Sequence, residues 1–145
     1  MKTNKILIVF ISIFLILTVG CTDGIKNEVN KIVVEKRVGE LDKYEYYNEV
    51  KDSKEVEEIK NILNNIGWRN AKVDMAYPPH YKFQFEDTTG KLESNGLIYD
   101  LWISPDKGRI ELVIDSESKY VHLDKEKSAE LFKLIIGKNL DEVKQ

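Results

Sequence analysis

Cysteine is almost absent. Cys21 is the only one in 145 residues, so no disulfide can close within the chain. A cysteine-ligated zinc site is excluded for the same reason. Histidine occurs twice, at His80 and His122, and neither lies in a metal-ligand spacing such as His-x-x-x-His. The chain has no Gly-x-Ser-x-Gly elbow and no glycine-rich loop that could cradle phosphate. Paired carboxylates such as Glu57–Glu58 and Asp141–Glu142 fall on helical or tail positions that read as solvated faces. The expectation is a protein that is not an enzyme and carries no cofactor and no metal. Basic residues do not exceed acidic ones: 22 Lys and Arg stand against 25 Asp and Glu, a net charge of −3. Nucleic acid is therefore not an expected partner, because neutralising phosphates needs a basic face. Long apolar runs are missing too. The longest, Ile6 to Val19, is broken by Ser12 and Thr18. As a helix of fourteen residues it would reach only ~21 Å, short of the ~30 Å hydrocarbon core.

What is present explains the single thiol. Lys2 and Lys5 precede the short apolar run, and "LTVGC" closes it. A basic start, a short apolar stretch and a small residue at the end make a secretory signal over residues 1–20. The "LTVGC" segment resembles the lipobox of bacterial lipoproteins, with Thr18 where leucine is commonest. The resemblance implies diacylglycerol on the Cys21 sulfur and cleavage between Gly20 and Cys21. Two acyl chains make a stable anchor where one is marginal. The expected location is the extracytoplasmic face of the cell membrane. Residues 1–20 carry two lysines and no acid, so the processed chain has 20 basic residues against 25 acidic and a net charge of −5. "TDGIKNEVN", with Cys21 before it, reads as a flexible tether over residues 21–30; nine such residues span roughly 17 Å.

Residues 31–137 read as one α+β domain, and 138–145 as a polar tail. "KIVVEKRV" alternates Ile32, Val34 and Val38 with Glu35 and Arg37, a strand pattern. "KYEYYNEV" is a second strand candidate. In "DSKEVEEIKNILNNIGW", Val56, Ile59, Leu63 and Ile66 form one helical stripe. Asp52 or Ser53 caps its start and Gly67 is the expected stop. Four short strands follow in "HYKFQFE", "LIYDLWIS", "RIELVID" and "KYVHLD". Their connections are too short for crossover helices, which predicts an antiparallel meander. Asp124 caps a last helix with Leu131, Phe132, Ile135 and Ile136 as its stripe and Gly137 as its stop. One antiparallel sheet with both helices on one face is the expected architecture.

"VDMAYPPHYKFQF", "IYDLWIS" and "KYVHLDKEKSAELFKLI" together are similar to the YhfM-like domain of small Firmicute lipoproteins. The residues that carry the likeness are Val73, Asp74, Met75, Ala76, Pro78, Leu101 and Trp102, with the final strand and helix. Pro79 and the loop at residues 87–96 depart from the pattern. The resemblance implies a lipoprotein domain of uncharacterised function and no particular chemistry.

One surface stands out as a candidate binding patch: Tyr77, His80, Trp102, Tyr120 and His122. Alternation puts Tyr120 and His122 on one face of the last strand, and Ile98, Asp100 and Trp102 on one face of "LIYDLWIS". "DMAYPPH" holds Tyr77 beside two prolines, which fix backbone angles and suggest a rigid projection. The opposing reading puts Trp102 under a helix and Tyr77 at the sheet edge. Two function classes follow. The first is a monomeric, non-enzymatic accessory module that contacts an envelope protein. The second is a carrier or sensor of a small ligand, which a pocket would favour.

Overall fold

The computed structural model describes residues 30–39, 42–87 and 96–143. The expected signal, the expected lipobox and all of the expected tether but Asn30 lie outside these residues, as does the middle of the 87–96 loop. Seven strands form one antiparallel sheet: β1 (Lys31–Arg37), β2 (Tyr44–Val50), β3 (Arg69–Asn70), β4 (Tyr81–Glu86), β5 (Ile98–Ile103), β6 (Ile110–Ile114) and β7 (Lys119–His122). Helix α1 spans Ser53–Asn65 and α2 spans Lys125–Ile136. The order across the sheet is β2-β1-β4-β5-β6-β7-β3. The α+β class and the four-strand meander β4 to β7 are as expected. The N-terminal hairpin adds to the β4 edge, with Ile32 opposite Phe85 and Val34 opposite Phe83.

Local chemistry starts and stops the helices. The Asp52 carboxylate accepts from the amides of Lys54 (2.9 Å) and Glu55 (3.1 Å), filling two donors that the first turn leaves open. Asp124 accepts from Lys127 N in the same way. Gly137 takes a left-handed conformation, φ 74°, and donates back to Lys133 O. Gly67 is not the stop expected for α1. The chain instead turns extended at Ile66, and the Trp68 indole N–H donates 2.8 Å to Leu63 O, covering a terminal carbonyl. A side chain thus does what a left-handed glycine would do.

Both helices lie on the same sheet face. Val56, Ile59 and Leu63 of α1, with Leu131, Phe132 and Ile135 of α2, join Ile32, Val34, Phe83, Leu101, Leu112 and Val121 in one buried cluster. Phe83 stacks on Tyr99 at 4.8 Å, and Phe132 meets the Tyr81 ring edge-on at 6.0 Å. The segment after α2, read as a polar tail, makes a short 3₁₀ turn whose Leu140 is buried in the same core. The two-residue strand β3 was not visible as a period and pairs with β7 at the far edge.

Candidate functional site

The sheet face away from the helices is also covered, in part. After β3 the chain must return to β4, four strand positions away, or roughly 19 Å at the usual strand spacing. Residues 71–80 make that return across the open face. This segment, expected as a projection, is a strap. Trp102 lies beneath it, 5% exposed, and not under a helix. Its indole N–H donates 2.8 Å to Tyr77 O.

The two prolines carry no N–H, and the carbonyls around them are gathered by side chains from three strands. Arg37 donates 3.1 Å to Pro78 O, and the Tyr44 hydroxyl donates 2.8 Å to Pro79 O. Burial, with Asp42 adding, pushes the Tyr44 phenol well above its ordinary value, so it remains a donor. His80 N then donates to Leu101 O as the strap enters β4. Pre-set proline angles lower the entropy lost in fixing such a segment.

The His80 ring ends the β4–β5 ladder. Its Nδ1 accepts from Ile103 N at 3.1 Å, and its ring meets Tyr77 edge-on at 5.7 Å. Burial first, and then the nearby Arg37 guanidinium, hold the imidazole below its usual pKa. The fold therefore holds the neutral ring. Stability from this group is fully present above pH ~6.5, the value for a free histidine. It is lost as pH falls from there through the lower folded value, because the unfolded chain takes the proton first. The wild type is expected to lose more melting temperature between pH 7 and 5 than His80→Gln does. Equal losses would show that His80 carries none of the dependence. At pH 7.5, His80→Ala is expected to cost about 1–3 kcal/mol by leaving the Ile103 N–H unpaired.

Beneath and beside the strap is an open cavity of about 400 Å³. Val73, Met75, Ala76 and Tyr77 line it from the strap, and Trp102 and Val113 from the sheet. Its polar groups are Asp42, Lys82, Asp100 and Asp115. In the register Lys82 faces Asp100, and Asp100 faces Val113. Asp100 Oδ1 is buried without a hydrogen bond. Lys82 Nζ stands 3.9 Å from it and 4.0 Å from Asp42 Oδ1, over the Tyr44 ring at 4.3 Å. Burial pushes the Asp100 carboxyl above its usual range; Lys82 pulls it back, and Asp115 and Asp42 add to the rise.

The structure divides the five patch residues. Tyr77, His80 and Trp102 come together at the strap, with Tyr77 40% exposed and Trp102 buried. Tyr120 and His122 gather instead around Glu111 on the neighbouring strand. The Tyr120 hydroxyl donates 2.8 Å to Glu111 Oε2, and His122 Nδ1 is 3.9 Å from Oε1. They are surface side chains tied to a carboxylate, outside the cavity. Sequence reasoning passed over Asp100 and Lys82 as site residues. The available signal was one acid inside the otherwise apolar "LIYDLWI".

A larger hollow, about 690 Å³, lies between α1 and the start of α2, but every polar side chain lining it is exposed. Among the described residues no group of three His, Cys, Asp or Glu side chains is placed to hold a metal ion. None of the described helices is long and apolar enough to cross a membrane. A family model described as YhfM protein matches residues 25–141. No curated protein and no solved structure matches the chain.

Proposed function

The chain belongs to the YhfM family, and from that premise we propose an extracytoplasmic module, lipid-anchored through Cys21, that binds a small ligand between its strap and its sheet. The observation that carries the reading is the cavity. Its volume of about 400 Å³ lies within the ~300–1,000 Å³ of small-molecule sites. Its lining mixes apolar side chains with four charged ones, and one of those, Asp100, has a buried oxygen that no donor among the described residues hydrogen-bonds. The pieces of backbone that frame it are pinned by Trp102, Arg37 and Tyr44. Binding to a cavity already formed loses less ordering entropy than binding to a loose loop. Of the two classes open from sequence, an interaction module and a ligand carrier or sensor, this geometry favours the second. The lipid anchor rests on the Gly20–Cys21 pair and the short apolar run before it.

The test is a fragment screen on the ¹⁵N-labelled full chain in detergent micelles. Saturable shifts are expected at the Trp102 indole N–H and the amides of Met75 and Val113. Trp68 lies on the helical side and serves as the internal reference, since it packs against the core cluster. Fragments that move Trp68 and leave Trp102 still, or a set in which none moves Trp102, would overturn the reading.

A further inference from the structure

The charge around the cavity is unbalanced. Three carboxylates, Asp42, Asp100 and Asp115, line it with one ammonium, Lys82. Lys82 is shared between Asp42 and Asp100 and is close enough to neither for a hydrogen bond. Asp115 follows directly on β6, at the start of a 3₁₀ turn, and is an exposed residue that lines the same cavity. It has no ion pair among the described residues. Among the described residues the outcome is a desolvated Asp100 oxygen with no hydrogen-bond donor, and an exposed second carboxylate, Asp115, with no ion pair. Burying such an oxygen unpaired is unfavourable, and the penalty is relieved when a donor arrives.

We propose that this cavity takes a small organic cation, an ammonium or guanidinium group on a compact apolar body, with Asp100 as its counter-charge. The inference rests on the ligand-binding reading above and names the chemistry of that ligand. The cation's N–H groups donate to Asp100, with Asp115 adding charge from the turn after β6. Its apolar part lies against Trp102, Val113 and Met75. Lys82 is the movable element: its side chain is 26% exposed, and it swings outward toward Asp42 as the ligand donor takes its place. A bare metal ion does not suit the site, since it asks for many converging oxygens and the described residues place no group of three such ligands together. An anion meets three carboxylates against one lysine.

Three probes of one shape decide the point: 2-phenylethylamine, 2-phenylethanol and 3-phenylpropionate. Each is titrated into the ¹⁵N-labelled full chain in micelles at pH 7.5, with the Trp102 indole N–H as readout. The amine is expected to bind at least tenfold more tightly than the alcohol, and the carboxylate more weakly than either. A charge-assisted hydrogen bond is worth that factor. Asp100→Asn keeps the shape and removes the charge, so the amine is expected to fall to within threefold of the alcohol. Because the variant loses a desolvated carboxylate, its denaturation midpoint is expected to match or exceed that of the wild type, which shows that the fold is intact. If the alcohol binds as tightly as the amine, or if the amine's preference survives Asp100→Asn, the cation inference fails and the cavity remains a ligand site. If none of the three moves Trp102 and the fragment screen is also silent there, both readings fail.

Discussion

Trp102→Ala is expected to destabilise the protein by about 3–5 kcal/mol, the range for deleting a large buried aromatic. The indole is 5% exposed on the sheet face away from α1 and α2, and it is bonded to the strap above it. Truncation leaves a void between strap and sheet and strands Tyr77 O, which the indole N–H had satisfied. Two consequences separate this from an ordinary core deletion. Hydrogen exchange should rise most at the strap amides, Val73 to Tyr77, because their cover is lost locally before the helical core opens. The helical-side core, built on Phe83, Tyr99 and Phe132, should keep its slow exchange. Trp102→Phe retains most of the volume and loses only the donor, so it is expected to cost less than half as much. Denaturation curves on the two variants check the size, and exchange checks the place. A loss under 1 kcal/mol for Trp102→Ala would mean that the strap is held by its proline carbonyl contacts alone.

Cys21→Ser is expected to be all-or-none. The thiol is the soft nucleophile that lipid transfer requires, and a serine hydroxyl at the same place does not substitute for it. In a bacterial host that processes lipoproteins, the wild-type chain should be recovered in the membrane fraction. The variant should appear as an uncleaved precursor or as released protein. Each buried methylene of an acyl chain would contribute about 0.8 kcal/mol, so a processed variant without the two chains would lose that hold. A chain processed at Cys21 would carry a net charge of −5, which would give no electrostatic hold on an anionic bilayer either. Fractionation with an N-terminal mass measurement reads both outcomes. Membrane attachment with a processed N-terminus in the serine variant would reject the anchor.

Much of this architecture is written locally in the chain. Asp52 and Asp124 sit two to three residues from the amides they cap, and Gly137 sits one turn from the carbonyl it satisfies. The stripes of α1 and α2, and the alternation in β4 to β7, repeat within a few residues. Short connections leave the meander no other arrangement. Each of these depends on neighbours in sequence, so the residue order was sufficient for it. Nearness in sequence was not always enough: two neighbours could serve the same end, and the Trp68 side chain closed α1 where Gly67 was expected to. The central strand β5 shows the boundary well. "IYDLWI" announces apolar side chains on both faces, hence a strand covered twice. Nothing in that pattern says that Tyr99 and Leu101 meet the helical core while Trp102 meets a proline-bearing strap from a segment 25 residues earlier. The pairing of β1 with β4, the crossing of residues 71–80 and the meeting of Asp42, Lys82, Asp100 and Asp115 all depend on where the chain returns to itself. Periodicity assigns a side chain to a face; what lies over that face is settled by contacts between residues tens of positions apart, and in this protein those contacts make the cavity.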